Sequence, residues 1–141
     1  MLEATQDLLN TRWTEIGDKL VKLAEEFPED KYEYKPSSDV RSFGDQLRHV
    51  AFWNDYAAQT LRGEKADGDA NELPRAKYGT KAKVVSALRS SFEGVPKGLE
   101  KAGATPAAAE TVVSFIEHNG EHYGQLVMYY RLNGLVPPAS R

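Results

Sequence analysis

Three histidines stand in this chain of 141 residues, and two of them, His118 and His122, lie four residues apart within "FIEHNGEHYGQLVMYYRLNG". On an α-helix that spacing projects both imidazoles to one side, so one helix offers two nitrogen ligands to a single metal ion. A third imidazole, His49 from another segment, would complete a three-nitrogen face and leave positions open for water or substrate. The pattern lacks the glutamate of an HExxH motif, and the same spacing also describes two solvent-side neighbours on a helix. The chain has no cysteine. Disulfides, thiolate ligands and cysteine nucleophiles are therefore excluded together, and a bound metal has only nitrogen and oxygen to hold it.

Four helical patterns are available to position these residues. Leu9, Trp13, Ile16, Leu20, Leu23 and Phe27 alternate steps of four and three, which predicts an amphipathic helix over about residues 3–27. "FPEDKYEYKPSSD" then ends it, because prolines and a polar cluster deny a continuing helix. Ser42 is a candidate N-cap for a second helix running to Gly63, with Leu47, Val50, Asn54, Ala57 and Leu61 inward. "GEKADGDANELPRAKYGT" reads as an exposed connection, of a length that is either disordered or functional. Thr80 caps a third pattern, Val84, Leu88, Phe92, Val95 and Leu99, in which Pro96 and two glycines predict a kink or break near Gly94 to Gly98. A fourth helix starts at Pro106, after Thr105, and reaches about Leu132. With no alternating strand pattern, the expected fold is all-α, an antiparallel four-helix bundle, as one domain over residues 1–141.

A helical wheel with His118 at zero puts His122 near 40° and the apolar stripe of α-helix four at roughly 120°. Both histidines are thus edge residues, and the same construction places His49 at the edge of its own helix, so all three can face one cavity. Gln125 and Tyr129 share the sector of the pair and Trp53 lies beside His49, which makes these three the candidate pocket residues. Arg48 and Arg131 are candidate anion contacts, although an arginine on a helix is more often solvated. Tyr32 and Tyr34 read equally as cavity mouth and as packing, and Asn119 as a buried polar group with a partner. Gly120 and Gly124 fall on the far edge, where two helix glycines suggest close approach of another backbone. Phe52 and Tyr56 point outward as a candidate dimer contact.

The bulk properties set bounds. A formal charge of -3, from 18 basic and 21 acidic residues, shows none of the strong positive field of a nucleic-acid binder. The N-terminus "MLEATQDLLNTRW" has no signal-peptide pattern, and no segment nears the roughly 20 apolar residues of a membrane span. A soluble, cytoplasmic protein is expected.

Three segments carry a resemblance. "SFGDQLRHVAFW", the "YEYKP" loop and "FIEHNGEHYGQLVMYYRLNGLVPPASR" together resemble the DinB/YfiT-like family of four-helix metalloproteins, in order and spacing over essentially the whole chain. In that family one histidine comes from the middle of helix two and an HxxxH pair from the last helix, positions that His49, His118 and His122 match. The resemblance implies a three-histidine site for a divalent transition metal (nickel, zinc, iron or manganese) in a homodimer-prone bundle with a small-molecule substrate. It further implies chemistry of the kind in the better-understood branches, thiol-dependent transferases and isomerases that use a low-molecular-weight thiol. A metal-dependent hydrolase, or a non-catalytic metal- or ligand-binding bundle in stress response, are the alternatives.

Overall fold

The computed structural model describes residues 2–141. Its framework is α1 (Leu2–Glu26), α2 (Phe43–Leu61), α3 (Lys81–Ala102) and α4 (Pro106–Leu132), with short 3-10 turns at Glu29–Lys31 and Pro138–Ser140, and no strand among the described residues. The capping residues read from the sequence do cap. Ser42 Oγ accepts from the Asp45 amide at 3.1 Å, Thr80 Oγ1 from Lys83 at 3.3 Å and Thr105 Oγ1 from Ala108 at 3.2 Å, each satisfying a first-turn N–H that has no partner within the helix. No helix among the described residues is long and apolar enough to cross a membrane.

The apolar stripes face a common core. Leu9, Trp13, Leu20 and Leu23 of α1 are buried, as is Phe27 just past its end; Leu47, Val50, Asn54, Ala57 and Leu61 of α2 are buried too. Around the bundle, α1 and α2 each pack against both α3 and α4, so α1 and α2 are diagonal partners. Contacts at the ends give the directions. Phe27, after α1, stacks on Phe43 at the start of α2 with ring centroids 3.8 Å apart and packs at a tilt against Tyr130 near the end of α4 at 5.0 Å. Lys81 Nζ, at the start of α3, donates to the Phe27 carbonyl at 2.9 Å. Two helices therefore run each way, as in an antiparallel bundle, but the neighbours α2 and α3 are parallel.

A parallel pair forces its connection to travel back along the bundle. For the 19 residues of α2 that return is about 28 Å, at ~1.5 Å per residue. Segment 62–80 is long for this reason, whereas residues 103–105 suffice between α3 and α4.

α3 continues as one helix through Gly94, Pro96 and Gly98, so the expected kink or break is not a break. Proline has no N–H for the carbonyl four residues back, here that of Phe92, and the Trp13 indole Nε1 of α1 donates to this oxygen at 2.8 Å instead. The two glycines serve the parallel contact. A Cβ on Gly98 would stand 2.9 Å from Leu61 Cβ, and one on Gly94 3.1 Å from Ala58 Cβ, so α2 and α3 pack closely because side chains are missing there. Gly120 and Gly124 have nothing within 4 Å of an added Cβ and are exposed. Within the chain, the close helix approach lies on α3 and not on α4. A buried polar thread ties three helices together: Asn119 Nδ2 donates to Asn54 Oδ1 at 3.0 Å, Asn54 Nδ2 to Ser91 Oγ at 3.1 Å, and Ser91 Oγ to the Leu88 carbonyl at 2.6 Å.

Candidate metal centre

His49 lies in α2 and His118 and His122 one turn apart in α4. Because these helices are antiparallel neighbours with edge histidines, the three rings meet. The centroids of His118 and His122 are 4.5 Å apart, and the His49 ring is 5.1 Å from His118 and 4.7 Å from His122. One ring nitrogen from each lies within 4.8 Å of the other two, and His49 Nε2 approaches His118 Nε2 to 3.1 Å. His49 and His122 are buried and His118 is partly so.

The outer nitrogens decide what the inner ones present. His49 Nδ1 donates to the Asn71 carbonyl at 2.9 Å; a carbonyl only accepts, so the proton is on Nδ1 and Nε2 carries a free lone pair. His122 Nδ1 donates to Gln46 Oε1 at 2.6 Å, with the same consequence. Gln46 is itself aimed, since its amide donates to Gln125 Oε1 at 2.7 Å and to the Tyr129 hydroxyl at 3.3 Å, which in turn donates to the Arg41 carbonyl at 2.6 Å. His118 Nδ1 is buried and makes no hydrogen bond.

The electrostatics keep the rings neutral at pH 7. Burial, then the neighbouring imidazoles, holds His122 down at about 3, and burial followed by His49 holds His118 at about 4. His49 is also lowered, by burial and the Arg41 charge, against the Asn71 bond. Neutral imidazoles that bring one ring nitrogen each to a common point are the donor set that zinc, nickel or iron takes, and the hydrogen-bonded outer nitrogens of His49 and His122 are the usual second layer of such a site. The residues fit a divalent transition metal.

The candidate pocket residues are all at this site. Trp53 packs beside His49 and His118, with centroids 6.4 Å and 6.5 Å away, and its Nε1 donates to Asn71 Oδ1 at 2.8 Å. Gln125 and buried Tyr129 lie on the other side, where a cavity of about 780 Å³ opens, lined also by Arg41, Gln46, Glu72 and His122. Other candidates belong elsewhere. Arg48, for which a solvated position was the expectation, is buried and donates to the Tyr78 carbonyl at 2.8 Å and to Asp45 at 2.6 Å. It ties down the connection between α2 and α3. Tyr32 is core, its hydroxyl donating to the Ala24 carbonyl, Tyr34 packs edge-on against Tyr129 at 6.0 Å, and Arg131, Glu117 and Glu121 are exposed. Phe52 and Tyr56 are partly buried against Trp53.

Sequence reasoning missed Gln46, Asn71, Arg41 and Glu72. Gln46 had a signal: it precedes His49 by one turn and so shares its face. Asn71, Glu72 and Arg41 had none, because loops bring them in. Asn71 adopts φ 62°, a left-handed conformation that asparagine tolerates better than most residues.

A helical bundle in which α2 supplies one histidine and α4 two, around a half-enclosed point beside a cavity, defines the class as a four-helix protein with a three-histidine cluster. The family model described as the DinB superfamily matches residues 12–126, a span holding all three histidines and reaching from α1 into α4. The chain belongs to that superfamily. Among curated proteins, none matches it.

Proposed function

We propose that His49, His118 and His122 hold one divalent transition metal ion, and that the protein is a metal-dependent enzyme of the thiol-dependent transferase type, acting on a small molecule. The observation that supports this best is the approach of three ring nitrogens to within 4.8 Å of one another. A bound cation would lower the pKa of a thiol or water in its open positions and so supply at neutral pH the nucleophile that the chain, without cysteine, does not carry. The chain's own residues do the rest. Asn71 and Gln46 accept the Nδ1 protons of His49 and His122 and thereby orient both rings; Trp53 and Phe115, stacked with centroids 6.3 Å apart, close one side to water; the cavity on the His122 side admits a small molecule.

A second reading keeps the metal and drops the reaction, leaving a metal- or ligand-binding bundle. It is favoured by the placement of the acids: Glu117 and Glu121 are exposed on α4, and Glu72 and Asp45, on the cavity wall, are paired with Arg41 and with Arg48 and Arg75, so none of these four is both at the cavity and free to serve as general base. Elemental analysis of protein purified without a nickel column tests the shared premise. About one equivalent of a divalent transition metal is expected in the parent chain and far less in His122→Ala; no stoichiometric metal in the parent ends both readings. Turnover of electrophiles with and without added thiol then separates transferase, hydrolase and binding protein.

A further inference from the structure

Arg41 is the cationic side chain on the cavity wall whose position is fixed from two directions. Its carbonyl accepts from Tyr129 OH at 2.6 Å, and Tyr129 OH accepts from Gln46, which receives the His122 Nδ1 proton. A continuous hydrogen-bonded path thus sets the Arg41 backbone relative to the histidines. At the other end its Nε donates to Glu72 on the returning connection. That contact occupies one edge of the guanidinium and leaves the Nη1–Nη2 edge without a hydrogen bond among the described residues. Of the other acids lining the cavity, Asp45 is already taken by Arg48 at 2.6 Å and Arg75 at 2.9 Å, and the Asp39 carboxylate makes no ion pair with Arg41. A planar, fixed guanidinium with one open two-donor edge is matched to a carboxylate, which it binds through two parallel N–H···O bonds.

We propose that Arg41 is the specificity residue of the cavity and that the molecule bound beside the three histidines carries a carboxylate. The inference rests on the metal-site reading for what that molecule does, but not for its binding. Glu72 holds the arginine's Nε edge and, by its charge, weakens the attraction for an incoming anion, so the pair sets both the aim and the affinity of the clamp. The carboxylate belongs either to the thiol or to the molecule it attacks, and two arms tell these apart.

In the first arm the cobalt(II)-loaded chain is titrated with 3-mercaptopropionate and with 2-mercaptoethanol, following thiolate-to-cobalt absorption. If the thiol carries the carboxylate, the parent binds 3-mercaptopropionate about tenfold more tightly, as one charge-assisted contact allows, and Arg41→Gln brings the ratio to about one. In the second, metal-free protein is titrated calorimetrically with succinate and with succinamide; Arg41→Gln abolishes a preference for succinate if the attacked molecule carries it. Glu72→Gln, which keeps an oxygen for Nε but removes the charge, raises the carboxylate preference in whichever arm shows one. The proposal is overturned if Arg41→Gln leaves both preferences unchanged or if the parent shows neither. Failure of the metal reading shows differently, as cobalt that does not bind while the succinate arm still responds to Arg41.

Discussion

At the scale of single residues, the centre depends on where protons are kept. His118 at about 4 and His122 at about 3, with His49 also lowered, contrast with an ordinary imidazole near 6.5, and burial is the first cause in all three. In the metal-free protein, an imidazole whose folded pKa is depressed stays neutral while the unfolded chain takes up its proton, so stability is complete above about 6.5 and is lost as pH falls towards 4. Urea unfolding of chelator-treated protein from pH 8 to pH 4.5 is expected to be flat at first and to decline below about 6.5, with His122→Gln declining less steeply. A parent whose stability rises on acidification through that window would contradict the neutral, crowded cluster. Helical periodicity places His118, His122 and His49 at stripe edges, where they can converge, but it was the resemblance to the DinB/YfiT-like family that singled them out as one candidate site. Asn71 was not legible. Its value lies in a carbonyl oxygen and a left-handed backbone, and neither has a side-chain signature at a fixed offset from His49.

At the scale of elements, the same residue type does opposite work on two helices. A glycine inside a helix costs roughly 0.5–1 kcal/mol relative to alanine, and that cost is recovered only where the missing side chain lets something come close. Gly98 meets Leu61 at 2.9 Å from a notional Cβ, whereas Gly120 meets nothing within 4 Å. Gly98→Ala is therefore expected to destabilise by about 1–3 kcal/mol through overpacking of the α2–α3 contact. Gly120→Ala should stabilise by up to about 1 kcal/mol. Denaturant midpoints of the two variants check this directly, and a Gly120→Ala that destabilises as much as Gly98→Ala would mean that the exposed face of α4 has a partner. Caps and stripes were readable because they are local. The contrast between Gly98 and Gly120 was not, since it follows from the parallel packing of α2 and α3. That Pro96 does not break α3 was unreadable for a related reason: the indole that replaces its missing N–H comes from Trp13, 83 residues away in sequence.

At the scale of the whole molecule, the returning connection joins the centre to the stability of the bundle. Because α2 and α3 are parallel, segment 62–80 has to cross the face of α2 that carries His49, and it is fastened on the way: Asn71 to His49 and Trp53, Leu73 N to the Arg48 carbonyl at 3.2 Å, Glu72 to Arg41, Arg75 to Asp45 at 2.9 Å, and the Tyr78 carbonyl to Arg48. An ion held by His49, His118 and His122 would clamp α2 to α4 and, through Asn71, the connection to both. We propose on this basis that residues 2–141 unfold as one cooperative unit and that metal raises the midpoint of the whole transition, with no separate melting of the connection. At a free metal concentration a hundredfold above the dissociation constant, linkage contributes about 2.7 kcal/mol, which for a chain of this size is roughly 8 °C. Calorimetry with and without metal, read beside the rate of tryptic cleavage after Lys65 and Lys77, makes the test. One transition that shifts upward while both cleavages slow together is the expected result. A midpoint shift with cleavage after Lys65 and Lys77 unaffected would show that the metal stiffens the α2–α4 pair alone and that Asn71 transmits nothing to the segment it belongs to.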